Sequence, residues 1–129
     1  MTLIDHLVAL HNGIAFNGRR RPIGWQMDER ALTMLEEEHK SAATNTVLGY
    51  ASPRTFLGLP IEIGNFAIPM IEQGHASDRF APCLRADRGT DREWDIFDLD
   101  ECKPEGEVHR TKHDAEVKCK VENKALQAL

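Results

Sequence analysis

The chain has 129 residues, of which 41% are hydrophobic and 29% are charged, and its formal net charge at pH 7 is −5. These values are typical of one folded domain with a modest core. The negative charge argues against a nucleic-acid partner, which proteins normally bind with a basic face. No apolar run approaches the roughly 20 residues that span a bilayer, so no membrane partner is expected.

The cysteines and the N-terminus bear on where the protein works. Three widely spaced cysteines, an odd number, predict reduced thiols rather than a secreted disulfide scaffold. The N-terminal segment lacks the basic start and the clean apolar stretch of a signal peptide. We therefore expect the protein to stay inside the cell that makes it.

The first predicted element is a helix over residues 3–11. Thr2 and Asp5 have the spacing of a capping box at its start. The apolar residues that follow recur on one helical face, and Asn12 with Gly13 supplies a stop signal.

A short hairpin and a second helix are expected next. Residues 14–16 are predicted to pair with residues 23–26 across an Asn17-Gly18 turn. Residues 28–40 predict a helix with acids near its start and a lysine at its end, as the helix dipole favours. Its predicted apolar stripe consists of Met27, Ala31, Met34 and Leu35.

The middle of the chain predicts strands. Residues 47–50 favour a short strand, and residues 56–63 alternate apolar residues with small, proline or charged ones, which is typical of a strand with one buried face. Pro60 cannot donate to a ladder, so this strand is expected at a sheet edge or to carry a bulge. Residues 69–82 are expected to be irregular, with a short strand at residues 83–84.

The C-terminal third predicts a strand and then a helix. Residues 93–99 have strand character, and residues 103–106 read as a turn. Over residues 108–121 the alternation suits a strand and the charge pairs suit a helix, which is slightly favoured. Residues 125–129 suit a helix.

These elements predict an α+β fold. Two N-terminal helices are expected to pack on a small, mostly antiparallel sheet, with a C-terminal helical or extended arm. The expected division is an α+β core over residues 1–106 and an arm over residues 107–129. The apolar end of the arm is a candidate contact with another chain, through Leu126 and Leu129.

One candidate site is a zinc site. Two thiols and two imidazoles fall within 18 residues, and zinc takes four nitrogen or sulfur ligands. The spacing matches no common zinc pattern, so the competing interpretation is two exposed histidines and two half-buried thiols. The four residues are Cys102, His109, His113 and Cys119.

The other candidate is an acidic segment, with five carboxylates in nine residues and no base among them. The functional interpretations are a docking surface for a basic partner, a mimic of DNA or a divalent-cation site, and the competing interpretation is a solvated strand end. Its members are Glu93, Asp95, Asp98, Asp100 and Glu101. No nucleophile turn and no glycine-rich phosphate loop occurs in the sequence, so we expect a protein that is not an enzyme.

Residues 25–69 carry a resemblance to a known class of proteins. The run GWQMDERALTMLEE followed by PRTFLGLPIEIGNFAIP resembles a Trp-x-Met, helix and "LxGxPI" pattern of tailed-bacteriophage major capsid proteins and small phage proteins. The segment covers about a third of the chain, and nothing after Met70 matches. The chain is too short for a capsid subunit, so the resemblance implies only a phage or prophage origin.

Two functions follow as hypotheses. The first is a non-enzymatic phage structural or accessory protein, such as a decoration or connector subunit of the virion, that associates with itself and with other phage proteins. The alternative is a small inhibitor that binds a host or defence protein through the acidic segment. The expected location is the virion or the host cytoplasm. No cofactor is expected, unless the four residues above hold zinc; the protein would then be a zinc-stabilised module or a zinc-dependent enzyme, which is a third option.

Overall fold

The computed structural model describes residues 2–16, 18–41, 48–50, 53–85 and 92–128, and these form an α+β fold, as predicted. In chain order the elements are α1 (Leu3–Ala15), β1 (Arg20–Met27), α2 (Glu29–Ser41), β2 (Leu48–Gly49), β3 (Thr55–Phe56), β4 (Leu59–Ile63), β5 (Met70–His75), β6 (Phe80–Leu84), β7 (Trp94–Asp98), β8 (Lys103–Pro104) and α3 (Lys112–Gln127). The strands belong to two sheets, ordered β2-β3-β4-β1-β5 and β6-β7-β8.

Helix α1 begins where the sequence predicted and ends later. The Thr2 hydroxyl accepts a hydrogen bond from the Asp5 N–H, and the Asp5 carboxylate accepts one from the Thr2 N–H, which completes the capping box. The helix continues through Asn12 and Gly13 to Ala15, so the predicted stop was wrong. The predicted hairpin was also wrong, because residues 14–16 continue the helix and leave no strand to pair with β1.

The first sheet contains one parallel pair. Strands β1 and β4 run parallel, with Trp25 beside Ile61 and Met27 beside Ile63, and the other neighbours in this sheet are antiparallel. These four side chains form one buried cluster with apolar residues of the two N-terminal helices: Ile4 and Leu7 from α1, and Leu32 and Leu35 from α2. The Trp25 indole N–H donates to the Phe56 carbonyl at 2.9 Å, which satisfies its polar atom in the core.

The predicted single strand over residues 56–63 is instead a tight hairpin of β3 and β4. Leu57 and Gly58 form its turn, with φ values of 53° and 76°. Strand β4 lies between β3 and β1, so the edge position expected from Pro60 was wrong. Pairing of β4 with β1 begins at Ile61, so the missing N–H of Pro60 falls just before that ladder.

Residues 69–82 are more regular than predicted. They contain β5, which pairs with β1, and the start of β6, which pairs with β7. Strand β7 confirms the strand predicted over residues 93–99. Residues 103–106 are not only a turn, because Lys103–Pro104 pairs with β7 as β8.

The segment expected to form an arm contains helix α3, which packs on β6 and β7. Ala115, Cys119 and Asn123, four residues apart, are its buried positions. The Asn123 side-chain oxygen accepts from the N–H groups of Arg79 and Phe80, each at 2.9 Å, and its amide donates to the Phe80 carbonyl at 3.0 Å. No helix within the described ranges is long and apolar enough to cross a membrane.

Candidate interaction surfaces

The structure divides the acidic segment into buried and exposed residues. Asp95 is only 1% exposed. Its carboxylate accepts hydrogen bonds from the backbone N–H groups of Ile96, Gly106 and Glu107 at 2.7 to 3.1 Å. Asp95 therefore organises the chain after β8 and presents no charge to a partner.

Asp98 has a similar internal role and is 3% exposed. Its carboxylate accepts from the Arg79 guanidinium, with a shortest distance of 2.8 Å, and from the N–H groups of Asp100 and Glu101. The hydrogen bonds from Arg79 are the main cause that lowers the pKa of Asp98 below its ordinary value. This carboxylate therefore stabilises the fold through contacts within the chain and is not available to a partner.

The remaining acids of the segment are exposed, and each lies close to a cation. Asp100 is 3.3 Å from Arg21, and Glu101 is 2.9 Å from Lys103. Glu93 is 3.8 Å from Arg85. The five acids therefore do not form one continuous acidic face.

The four predicted zinc ligands occupy separate environments. Cys102 is exposed in a turn, and Cys119 is buried on α3. The backbone of His109 forms an antiparallel bridge with that of Trp94. Burial raises the pKa of Cys119 to about 12. In the described part of the chain no group of three or more His, Cys, Asp and Glu side chains is placed to hold a metal ion. The structure thus does not gather these four residues, His113 included, and metal analysis of the purified chain remains the test for zinc.

A charged cluster that the sequence did not suggest lies where β4, β5 and α3 meet. The Lys112 ammonium donates to Glu62 at 2.6 Å and to Glu72 at 3.1 Å, and it lies 5.6 Å above the centre of the Trp94 ring. Burial raises the pKa of Glu72 above its ordinary value, against the opposing effect of Lys112. Burial alone would lower the pKa of Lys112, but the two carboxylates outweigh it and raise that pKa. The cluster ties the start of α3 to the first sheet.

One exposed apolar surface lies along α2. A groove of about 270 Å³ there is lined mainly by apolar side chains, namely Leu3, Ala31, Met34, Ala67 and Pro69, together with Asp28 and Arg30. The neighbouring hollow along the helix adds Glu29 and Glu37 to its lining. Met34 is 51% exposed, and Ile68, between two lining residues, is 69% exposed. We call these residues the α2 surface; its charged groups are three carboxylates and one guanidinium.

A second exposed surface lies on the side of α3 opposite its packed residues. Val117 and Val121 are 48% and 58% exposed, and they lie one helical turn apart on the side of α3 that faces away from the buried Ala115 and Cys119. By helical spacing the charged residues on this side are the exposed Asp114, Lys120 and Lys124 and the half-buried Lys118. We call these residues the α3 surface; it carries three ammonium groups and one carboxylate.

The sequence analysis identified neither surface. Met34 was assigned to the buried stripe of its helix, but the structure buries Leu32 and Leu35 and leaves Met34 outside. On α3 the apolar residues alternate as in a strand, so the sequence did not distinguish a helix from a strand there. In a helix, residues four apart lie on one face. That spacing separates the buried Ala115 and Cys119 from Val117 and Val121, and it was the available signal.

The predicted contact at the end of the chain is only partly placed by the structure. Leu126 is on α3 and is partly exposed. It lies three residues after the buried Asn123, so it is on the packed side of the helix rather than on the α3 surface. Leu129 lies outside the described residues.

No protein-family model, no curated protein and no solved structure matches this chain.

Proposed function

We propose that this protein is a non-enzymatic structural or accessory protein that acts by associating with itself and by docking on other proteins. The observation that carries the proposal is the grouping of exposed apolar side chains at two separate places, Met34 of α2 with the nearby Ile68, and Val117 with Val121 on α3. Isolated exposed apolar residues are normal, but grouped ones with a charged border are typical of protein-binding surfaces.

The two surfaces have the composition that such contacts use. Met34 and Ile68 supply aliphatic area beside a groove, and Val117 with Val121 supplies an aliphatic ridge. Charged side chains border both, as is usual for the rim of an interface. Burying these side chains against a partner would remove apolar area from water, which is the main favourable contribution in association.

The phage assignment rests on the resemblance of residues 25–69. That segment contains the end of β1, all of β4 and the helix of the α2 surface. A virion component such as a decoration or connector subunit is present in many copies, and self-association suits that role. Mass spectrometry of particles made by the cells that encode the chain tests this part of the proposal: the chain should be recovered with the particles.

An inhibitor of a host or defence protein is the second candidate. It would use the three acids of the segment that remain exposed, Glu93, Asp100 and Glu101, each of which would exchange its neighbouring cation for one of the partner. It predicts one partner, captured from host lysate with a salt-sensitive affinity. That partner should be lost by the variant E93Q/D100N/E101Q. Capture that is unchanged by the variant would contradict the acidic contact.

Size-exclusion chromatography with light scattering tests the first proposal. The purified untagged chain is run over a hundredfold concentration range at low and at moderate salt. We expect a mass above that of one chain, rising with concentration. A mass of one chain at every concentration and at both salts would contradict self-association.

A further inference from the structure

We infer that the α3 surface of one copy docks on the α2 surface of a second copy, which makes the assembly head-to-tail. This inference rests on the proposed function, which it specifies further. The occupant of the α2 groove is then the ridge of Val117 and Val121.

The charges of the two surfaces are complementary. The α2 surface has the carboxylates of Asp28, Glu29 and Glu37 against the guanidinium of Arg30. The α3 surface has the opposite balance of three lysines against Asp114, although the whole chain carries a net charge of −5. Like surfaces of two copies would repel each other, whereas unlike surfaces attract and fix which partner is chosen.

The shapes are complementary as well. The α2 groove is concave and lined mostly by aliphatic side chains. On the α3 surface, Val117 and Val121 lie on one face of the helix and are separated by one turn. An apolar helix face that enters an apolar groove is a common mode of recognition, with anchors at this spacing.

One chain cannot satisfy both surfaces by itself. Helix α2 shares a buried cluster with α1 and the first sheet, whereas α3 packs on β6 and β7, and both surfaces are exposed in the same chain. Since the two surfaces differ, the contact between copies is heterologous. A heterologous contact repeats from copy to copy and gives a ring where the rotation closes, or a filament where it does not.

Charge reversal tests the contact. The variants E29K/E37K and K120E/K124E each place like charges across it, and we expect each to weaken self-association by about tenfold or more at low salt. The chain with all four changes restores opposite charges and should associate within about threefold of the natural chain. R19E/R20E is the matched control, because it reverses two exposed cations that belong to neither surface, and it should associate like the natural chain.

K120E places a new carboxylate one helical turn from Glu116, and repulsion between these two charges could destabilise α3. The folding of each variant is therefore checked separately. Circular dichroism and the melting temperature are measured for each variant. K120Q/K124Q removes the attraction without adding repulsion and should weaken association by about threefold. If K120E/K124E does not fold, the association of K120Q/K124Q tests the contact in its place: unchanged association of this variant would contradict the contact.

The outcomes separate this inference from the proposed function. Self-association that is unchanged by either reversal overturns the α2–α3 contact and leaves self-association standing. Weakening by both reversals without recovery in the fourfold variant also overturns it. A natural chain that stays monomeric overturns both the contact and the proposed function.

Discussion

Removing the Asn123 side chain is the sharpest test of how α3 is held. Strand β6 is at the edge of the second sheet, and the Asn123 amide pairs with it much as a neighbouring peptide group would. It receives the N–H groups of Arg79 and Phe80 and donates to the Phe80 carbonyl. Asn123→Ala leaves all three backbone groups without that partner.

The expected loss of stability follows from these contacts. Each hydrogen bond contributes about 1 kcal/mol net, so three give about 3 kcal/mol. The higher helix propensity of alanine offsets roughly 0.5 kcal/mol, which leaves about 2.5 kcal/mol. For a chain of this length the melting temperature should fall by about 10 °C.

Urea unfolding followed by tryptophan fluorescence measures this loss, because Trp25 and Trp94 are both buried. Gln127→Ala is the control, because Gln127 lies one helical turn after Asn123 and makes one exposed hydrogen bond, to Ser77. Its loss should lower the free energy of unfolding by less than about 0.5 kcal/mol. A loss below about 1 kcal/mol for Asn123→Ala would refute the claim that this amide anchors α3.

Three further outcomes are expected. Asp98→Asn removes the charge that Arg79 faces, so it should lower the melting temperature at pH 7. Because the pKa of Asp98 is lowered in the folded chain, the difference from the natural chain should shrink as the pH falls through that lowered pKa; an equal difference at pH 7 and pH 2 would contradict the pairing. Gly58→Ala should cost about 1 to 2 kcal/mol in urea unfolding, because φ is 76° and the new Cβ would lie 3.2 Å from the Cys102 sulfur; an unchanged midpoint would show that the turn tolerates a side chain. With a thiol reagent at pH 8 the folded chain should expose one rapidly reacting thiol, Cys102, and release the two buried thiols only on unfolding; three equally fast thiols would refute the packing of α3.

The sequence predicted the elements whose signals are local. The capping box at Thr2 marks the start of α1. Acidic residues near the start of α2 and a lysine near its end mark the limits of that helix. The aromatic and β-branched residues of β7 favour a strand. The α+β class follows from these elements. The predicted hairpin at residues 14–16 failed because a helix with enough packed turns tolerates a glycine such as Gly13 in its interior.

Long-range features were beyond local signals. The parallel pairing of β1 with β4 and the internal position of Pro60 depend on which strands meet, and periodicity does not contain that information. The burial of Asp95 and Asp98 also depends on which parts of the chain meet. From their charges the sequence predicted that both would lie on an exposed acidic surface. Their partners are backbone groups and an arginine from elsewhere in the chain, so their burial becomes visible only in three dimensions.

Mixing two variants that each lack one surface tests the head-to-tail contact between copies. Val121→Asp disables the α3 surface and keeps the α2 surface, and Met34→Asp does the reverse. By sedimentation velocity each variant alone should be monomeric, and an equimolar mixture should give a heterodimer of twice the chain mass, with no larger species. A mixture that stays monomeric, or single variants that still assemble, would contradict the head-to-tail contact.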